Sequence, residues 1–149
     1  RNPLLAMANT LALRGDDYAA EGYYEHLLNN LDLEIADRGL VFPQVSEKDY
    51  DIVNTYLYAS NNYGVTLHRL AKRTGNSGLN AQSLVQLSQS VRAWDALTRN
   101  QQTLVRLDGS KKQFRIQKLF GFEGSGNYHN CRKIIWHHSQ KIKSTSGSR

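Results

Sequence analysis

The stretch TLHRLAKRTGNSGLNAQSLVQLSQSVRAW, residues 66–94, contains two helix-like runs separated by the five residues TGNSG. In the second run, apolar side chains recur at every third or fourth position, namely at Leu84, Leu87, Val91 and Trp94. This spacing predicts a long amphipathic helix. The two glycines of TGNSG allow the backbone to reverse tightly. We therefore predict that residues 74–78 form the elbow of a helix-turn-helix.

A phosphate-binding glycine loop is the competing interpretation of TGNSG. Such a loop follows a strand and leads into a helix through Lys-Ser or Lys-Thr. Here a helix-like run precedes Gly75, and Leu79 and Asn80 follow Gly78. The pattern argues against a nucleotide site, and we expect no cofactor.

The chain before the elbow is predicted to be helical. Glycine stops and apolar periodicity predict helices over residues 4–13 and 17–37. Ser46 has the character of an N-cap for a third helix, which should end near the polar and glycine-containing residues 61–64. A short helix capped by Thr66 would then lead into the elbow.

The periodicity changes after residue 102. Residues 103–107 and 113–120 alternate between apolar and polar side chains, and Asp108 and Gly109 between them are typical of a hairpin turn. These features predict a two-stranded wing. The expected fold class is therefore α+β and mainly helical, a winged helix-turn-helix with an additional N-terminal helical segment.

Three parts of the chain are expected. Residues 1–45 would form an acidic helical segment packed on the main domain, residues 46–142 a winged-helix nucleic-acid-binding domain, and residues 143–149 a disordered polar tail. Because the sequence begins at Arg1 rather than at Met, we expect it to be a piece of a longer protein.

Charge is unevenly distributed along the 149 residues, whose net charge is +6. Residues 1–51 carry four Lys and Arg and ten Asp and Glu, whereas residues 52–149 carry fifteen Lys and Arg and three Asp and Glu. An asymmetry of this kind is typical of a chain that faces a polyanion. The alternative is a basic surface that serves solubility.

Two classes of location are disfavoured by the composition. The sequence has no apolar run near 18 residues and no signal-peptide pattern, which argues against membrane insertion and secretion. The single cysteine, Cys131, excludes an internal disulfide and fits a reducing compartment. We expect a protein of a reducing intracellular compartment, either cytoplasmic and associated with the nucleoid or otherwise intracellular.

Amide and hydroxyl side chains on the second helix of the predicted motif suit the reading of base edges. Asn and Gln donate and accept hydrogen bonds at once, and they lie off the apolar stripe. The candidates, with one residue of the elbow, are Asn76, Asn80, Gln82, Ser83, Gln86 and Gln89. A solvated helix face without a ligand is the alternative interpretation.

Basic residues on both sides of this helix are candidates for phosphate contacts. Those on the short helix are Arg69, Lys72 and Arg73, and those on the predicted wing are Lys111, Lys112 and Arg115. The expected partner is double-stranded DNA. Binding to DNA as a homodimer or with other chains of a nucleoprotein complex is also compatible with the pattern.

A thiol and three imidazoles near the C-terminus are the candidates for metal binding. They are His129, Cys131, His137 and His138. The segment lacks the paired cysteines of a zinc finger, and neighbouring histidines would point apart on a strand. Structural or DNA-contacting histidines are the preferred interpretation, and we expect neither a catalytic residue nor an enzyme.

Residues 40–123 resemble the winged-helix modules of plasmid replication initiator proteins. The similar parts are the helix over residues 49–59, TLHRLAKRTGNSG, LVQLSQSVRAWDALTRN running into TLVRL, and DGSKKQFRIQKLF. The resemblance implies sequence-specific DNA binding by a replication initiator, with a transcriptional regulator as a further possibility. An RNA-binding domain, a metal-dependent nuclease or recombinase fragment, and an acidic domain that docks a basic partner remain as alternatives.

Overall fold

The structure is a computed structural model that describes residues 2–108, with side chains described as far as Leu97. This part is 84% helical and contains four α-helices and no strand. The helices are α1 Pro3–Leu13, α2 Asp17–Asp37, α3 Tyr50–Thr74 and α4 Ser77–Asp108, and one 3-10 turn, Glu47–Asp49, precedes α3. The mainly helical prediction is confirmed, whereas the α+β winged helix-turn-helix is wrong.

Helices α1 and α2 form as the local sequence predicts. The Asn2 side chain caps α1 by accepting from the Leu4 and Leu5 N–H groups, and Gly15 adopts a φ of 81° that ends the helix. The apolar stripe of α2 is buried at Tyr24, Leu27, Leu28 and Leu31. Hydrophobic burial of this stripe joins α2 to the core.

Helix α3 does not end at residues 61–64, so the predicted break there is wrong. Thr66 lies inside the helix, where its hydroxyl donates to the Asn62 carbonyl at 2.9 Å instead of capping a new helix. The Asn62 amide donates to Asn9 Oδ1 of α1 at 2.9 Å. Gly64 is buried against α4. These polar and small residues therefore serve contacts between helices.

Helix α4 continues through residues 103–107, which were predicted as the first strand of the wing. No glycine or proline interrupts the sequence between Gly78 and Asp108, so nothing in the chain stops the helix before that point. Five alternating residues are too few to overcome a helix that is already formed. The predicted second strand, residues 113–120, lies outside the described residues.

The predicted elbow is confirmed as a chain reversal. Gly75 has a φ of 68° and its N–H donates to the Ala71 carbonyl at 2.8 Å, which ends α3. Asn76 Oδ1 accepts from the Gly78 N–H at 2.9 Å and so caps α4. The elbow joins two long helices that pack side by side, not a short helix and a recognition helix.

Helix α3 is central and contacts each of the other three α-helices. Small side chains on α4 permit its close approach, and the Ser83 hydroxyl donates to the Gly64 carbonyl at 2.7 Å. Residues from both sides of the predicted boundary at residue 45 share one core, including Ala8, Leu27, Val53 and Leu97. Within the described chain, α2 and α4 pack on α3 without approaching each other, which leaves a groove between them.

Candidate functional site

Two predicted phosphate-contacting residues share one buried carboxylate. Arg69 and Arg73 lie one turn apart at the end of α3, and their guanidinium groups donate to the two oxygens of Asp17 at 3.0 and 3.1 Å. The Asp17 side chain is 2% exposed, whereas the Arg69 and Arg73 side chains are 44% and 59% exposed. The carboxylate therefore holds both cations in place at the surface.

These arginines belong to a surface that we call the hairpin tip, defined by Arg69, Lys72, Arg73 and Asn76. Lys72 and Asn76 are exposed. The first N–H groups of α4 lie beside them because the reversal takes only two residues, and a helix N-terminus carries partial positive charge. The structure thus brings together four of the predicted nucleic-acid contacts.

The predicted base-reading glutamines lie elsewhere, along the groove between α2 and α4. This α2–α4 groove encloses about 530 Å³. Its walls and floor are Glu25, Leu28, Asn29 and Asp32 of α2, Tyr56, Tyr63 and Leu67 of α3, and Ala81, Gln82, Val85, Gln86 and Gln89 of α4. A smaller cavity of about 230 Å³ continues it and shares Asp32, Tyr56 and Gln89.

The groove differs from the predicted DNA-reading face in its charge. Gln82, Gln86 and Gln89 form one wall, and the opposite wall carries the carboxylates of Glu25 and Asp32. Phosphates would be repelled there. The reading of bases by these glutamines and by Asn80, which is half-buried, stays a prediction.

Ser83 is removed from the candidate contacts. It is fully buried, and its hydroxyl is used in the hydrogen bond to Gly64. Ser83 lies close to Gln82 and Gln86 in the sequence, but the helical period turns its side chain toward α3. A hydroxyl in this position stabilises the packing of α3 against α4.

Burial and neighbouring negative charge raise the pKa values of two acidic residues on the α2 side of the groove. Partial burial raises the pKa of Asp32. Burial and the neighbouring Glu25 raise the pKa of Glu21, one turn before Glu25 on α2. No ion pair involves Glu21, Glu25 or Asp32 within the part of the chain whose side chains are described. No ion pair in this part of the chain therefore neutralises the negative charge of this wall, and the cation that lies nearest along the groove is Arg92, which lines the adjoining smaller cavity with Asp32.

The two tyrosines on the floor also hold their protons more tightly than usual. Burial, with smaller contributions from Glu21 and Glu25, raises the pKa of Tyr63 to about 12. Burial and Asp32 raise the pKa of Tyr56 to about 12, and Arg92 partly opposes this. Neither hydroxyl has a hydrogen-bond partner among residues 2–97.

We expect alkaline pH to destabilise the protein through these two tyrosines and through Tyr24, whose pKa is also raised by burial. In the unfolded chain they ionise near a pKa of about 10, below the folded values, so stability that is fully present below pH 10 is lost as pH rises toward 12. The loss should be about 1 kcal/mol per pH unit for each tyrosine. Urea unfolding between pH 8 and 11.5 measures it.

Tyr56→Phe and Tyr63→Phe should each flatten this alkaline decline. Tyr18→Phe is the matched control for the loss of a tyrosine hydroxyl, because Tyr18 is 64% exposed and does not line the groove. An equal slope in all variants would contradict the assignment of the decline to the groove floor.

The remaining candidate residues lie outside the described part of the chain. They are the wing cations Lys111, Lys112 and Arg115 and the possible metal ligands His129, Cys131, His137 and His138. Among the residues that the structure describes, no three His, Cys, Asp or Glu side chains come together in a way that could hold a metal ion. Nor is any described helix long and apolar enough to cross a membrane.

The role of Asp17 could not be predicted from the sequence, in which it is one of two adjacent acidic residues at the start of the second predicted helix. The only available signal was the pair of arginines four residues apart, since this spacing places two cations on one helix face. Their common partner lies 52 and 56 residues away in the chain. No family model, curated protein or solved structure matches the chain.

Proposed function

We propose that the protein binds double-stranded DNA, with the hairpin tip contacting the phosphate backbone. One observation carries this proposal: a single buried carboxylate, Asp17, fixes two exposed arginines, Arg69 and Arg73, in the last two turns of α3, the helix that leads through the reversal into α4. Arginines whose positions are already fixed lose less conformational entropy when they bind an anion.

The arginines of the hairpin tip keep N–H donors that their contacts with Asp17 do not use. A guanidinium has five N–H donors, and the contacts with Asp17 use one nitrogen of Arg69 and one of Arg73. Asp17 neutralises one of the two charges, and Lys72 adds a further exposed cation. The tip therefore keeps a positive excess together with the N–H groups of α4, which is the chemistry that phosphate oxygens require.

The distribution of charge along the chain favours DNA contact at particular surfaces, not over the whole helical part. Residues 2–108 carry nine Lys and Arg and twelve Asp and Glu, so the helical part is net acidic. Residues 109–149 carry nine Lys and Arg and one Glu, including Lys111, Lys112 and Arg115. In this proposal the basic C-terminal part adds phosphate contacts to those of the hairpin tip.

We expect Lys72→Glu to weaken binding to a duplex of about 25 base pairs by roughly tenfold at ~50 mM salt, because the change replaces attraction to phosphate by repulsion. The slope of log affinity against log salt should fall by about one or more. Fluorescence anisotropy of the full chain with labelled DNA measures both quantities.

Lys48→Glu is the matched control for this experiment. It makes the same charge change on an exposed residue in the turn that precedes α3, at the opposite end of that helix. Equal weakening by both variants would overturn the hairpin tip as the contact. Competition with structured and single-stranded RNA separates duplex DNA from RNA as the ligand.

A further inference from the structure

The α2–α4 groove has chemistry opposite to that of the hairpin tip. Glu25 and Asp32 lie seven residues apart on α2, which places them on one face about 10 Å apart along the helix. Glu21 extends the same row by one turn, since it lies four residues before Glu25. The groove therefore has a straight row of carboxylates along one side.

The floor of the groove is apolar and aromatic. Leu67 is fully buried, Tyr56 and Tyr63 are 7% and 6% exposed, and all three line the groove. At its α4 edge Val85 is 55% exposed. Because the floor residues are already buried within the protein, the apolar surface left for a partner is mainly that of Val85, and its burial would contribute about 25 cal/mol per Å².

Polar groups in the groove also lack partners. Neither tyrosine hydroxyl on the floor forms a hydrogen bond with the part of the chain whose side chains are described, and no carboxylate of the row forms an ion pair there. Nearly buried hydroxyls normally find a partner. Together these groups call for a ligand that supplies both cations and hydrogen-bonding atoms.

We propose that the α2–α4 groove binds a basic amphipathic helix of a partner protein. Such a helix presents cations in a straight line at positions i, i+7 and i+11, which matches the spacing of Asp32, Glu25 and Glu21 when the helix runs antiparallel to α2. Its leucines would enter the groove between α2 and α4. Helix-in-groove recognition of this kind depends on apolar anchors at helical spacing.

In this proposal the glutamine wall of the groove binds a partner protein instead of DNA. Gln82, Gln86 and Gln89 face the carboxylates across the groove, and their amides can donate to and accept from polar groups on the other side of a bound helix. The carboxylates of α2 would bind the cations of the partner helix, and the glutamines of α4 would bind its uncharged polar side chains. This site is separate from the hairpin tip, so it stands whether or not the protein binds DNA.

The test uses the full chain and a synthetic 16-residue helix-forming peptide of Lys, Leu and Ala (on the order of four turns), with lysines at the spacing given above and leucines on the adjoining face. We expect saturable binding by calorimetry or anisotropy. Glu25→Gln with Asp32→Asn should weaken it at least about tenfold, since two ion pairs in a partly desolvated groove are lost. Val85→Lys, at an exposed position, should weaken it similarly.

Asp37→Asn with Asp51→Asn is the matched control, because it removes the same charge from two exposed carboxylates that do not line the groove. It should change the affinity less than about twofold, as screened surface charges do. A scrambled peptide of the same composition should bind weakly. Equal binding of the scrambled peptide, equal effects of the groove and control variants, or no saturable binding at millimolar peptide would overturn the proposal.

Discussion

Gly64→Val is expected to lower the free energy of unfolding by about 3 kcal/mol. A Cβ atom at position 64 would lie 2.6 Å from Leu87 Cγ and 2.7 Å from Leu87 Cδ2. The Leu87 backbone nitrogen would be 3.2 Å away, so rotation of the leucine side chain alone does not relieve the clash. The two helices would have to separate, which would expose the small-residue face of α4.

Gly22→Val is the matched control for this prediction. Gly22 also lies inside a helix, and a Cβ added there meets nothing within 4 Å. Because valine has a higher helix propensity than glycine, this variant should be as stable as the original or more stable by a few tenths of a kcal/mol. Urea unfolding followed by circular dichroism compares the two, and equal stability would contradict close packing at Gly64.

A double-mutant cycle identifies the atoms responsible. Leu87→Ala alone should destabilise by about 3 kcal/mol, since Leu87 is fully buried. Combined with Gly64→Val, its effect should be smaller by about 1 kcal/mol or more, because the shortened side chain makes room for the valine. Strict additivity of the two changes would show that they do not contact each other.

The sequence was sufficient where the signals for helix ends are local. The positive φ at Gly15 and the reversal at Gly75 each depend on residues within one turn. It was insufficient where a residue acts through a distant partner. Asn62 and Gly64 have the composition of a helix end, yet they contact Asn9 and Leu87.

In the candidate site, too, the features with a local signal could be predicted from the sequence and the contacts between distant residues could not. Arg69, Lys72 and Arg73 were correctly placed on a helix before the elbow, because periodicity gives the exposed face of a helix. The shared contact of the two arginines with Asp17 is a tertiary feature that periodicity does not contain. For the same reason, the glutamines of α4 could be assigned to one face, but not to a wall opposite the carboxylates of α2.

The Asp17 ion pairs lead to the second large effect. We expect Arg69→Ala with Arg73→Ala to lower the free energy of unfolding by about 3 kcal/mol. Asp17 is 2% exposed, and the double substitution leaves its charge buried without a cation. Its position as the first residue of α2 allows the helix dipole to offset a part of this penalty, so the loss should not reach the upper values for buried pairs.

Adding Asp17→Asn to the two arginine substitutions separates the buried charge from the loss of arginine packing. The triple variant should be more stable than the double variant by about 1 kcal/mol, because a neutral amide is less costly to bury than an unpaired carboxylate. The triple variant should still bind DNA weakly, since both arginines of the hairpin tip remain absent and Lys72 is the one cation left there. Recovered stability with lost binding would assign Asp17 to holding the arginines and the arginines to binding phosphate; recovered binding would contradict the proposed contact.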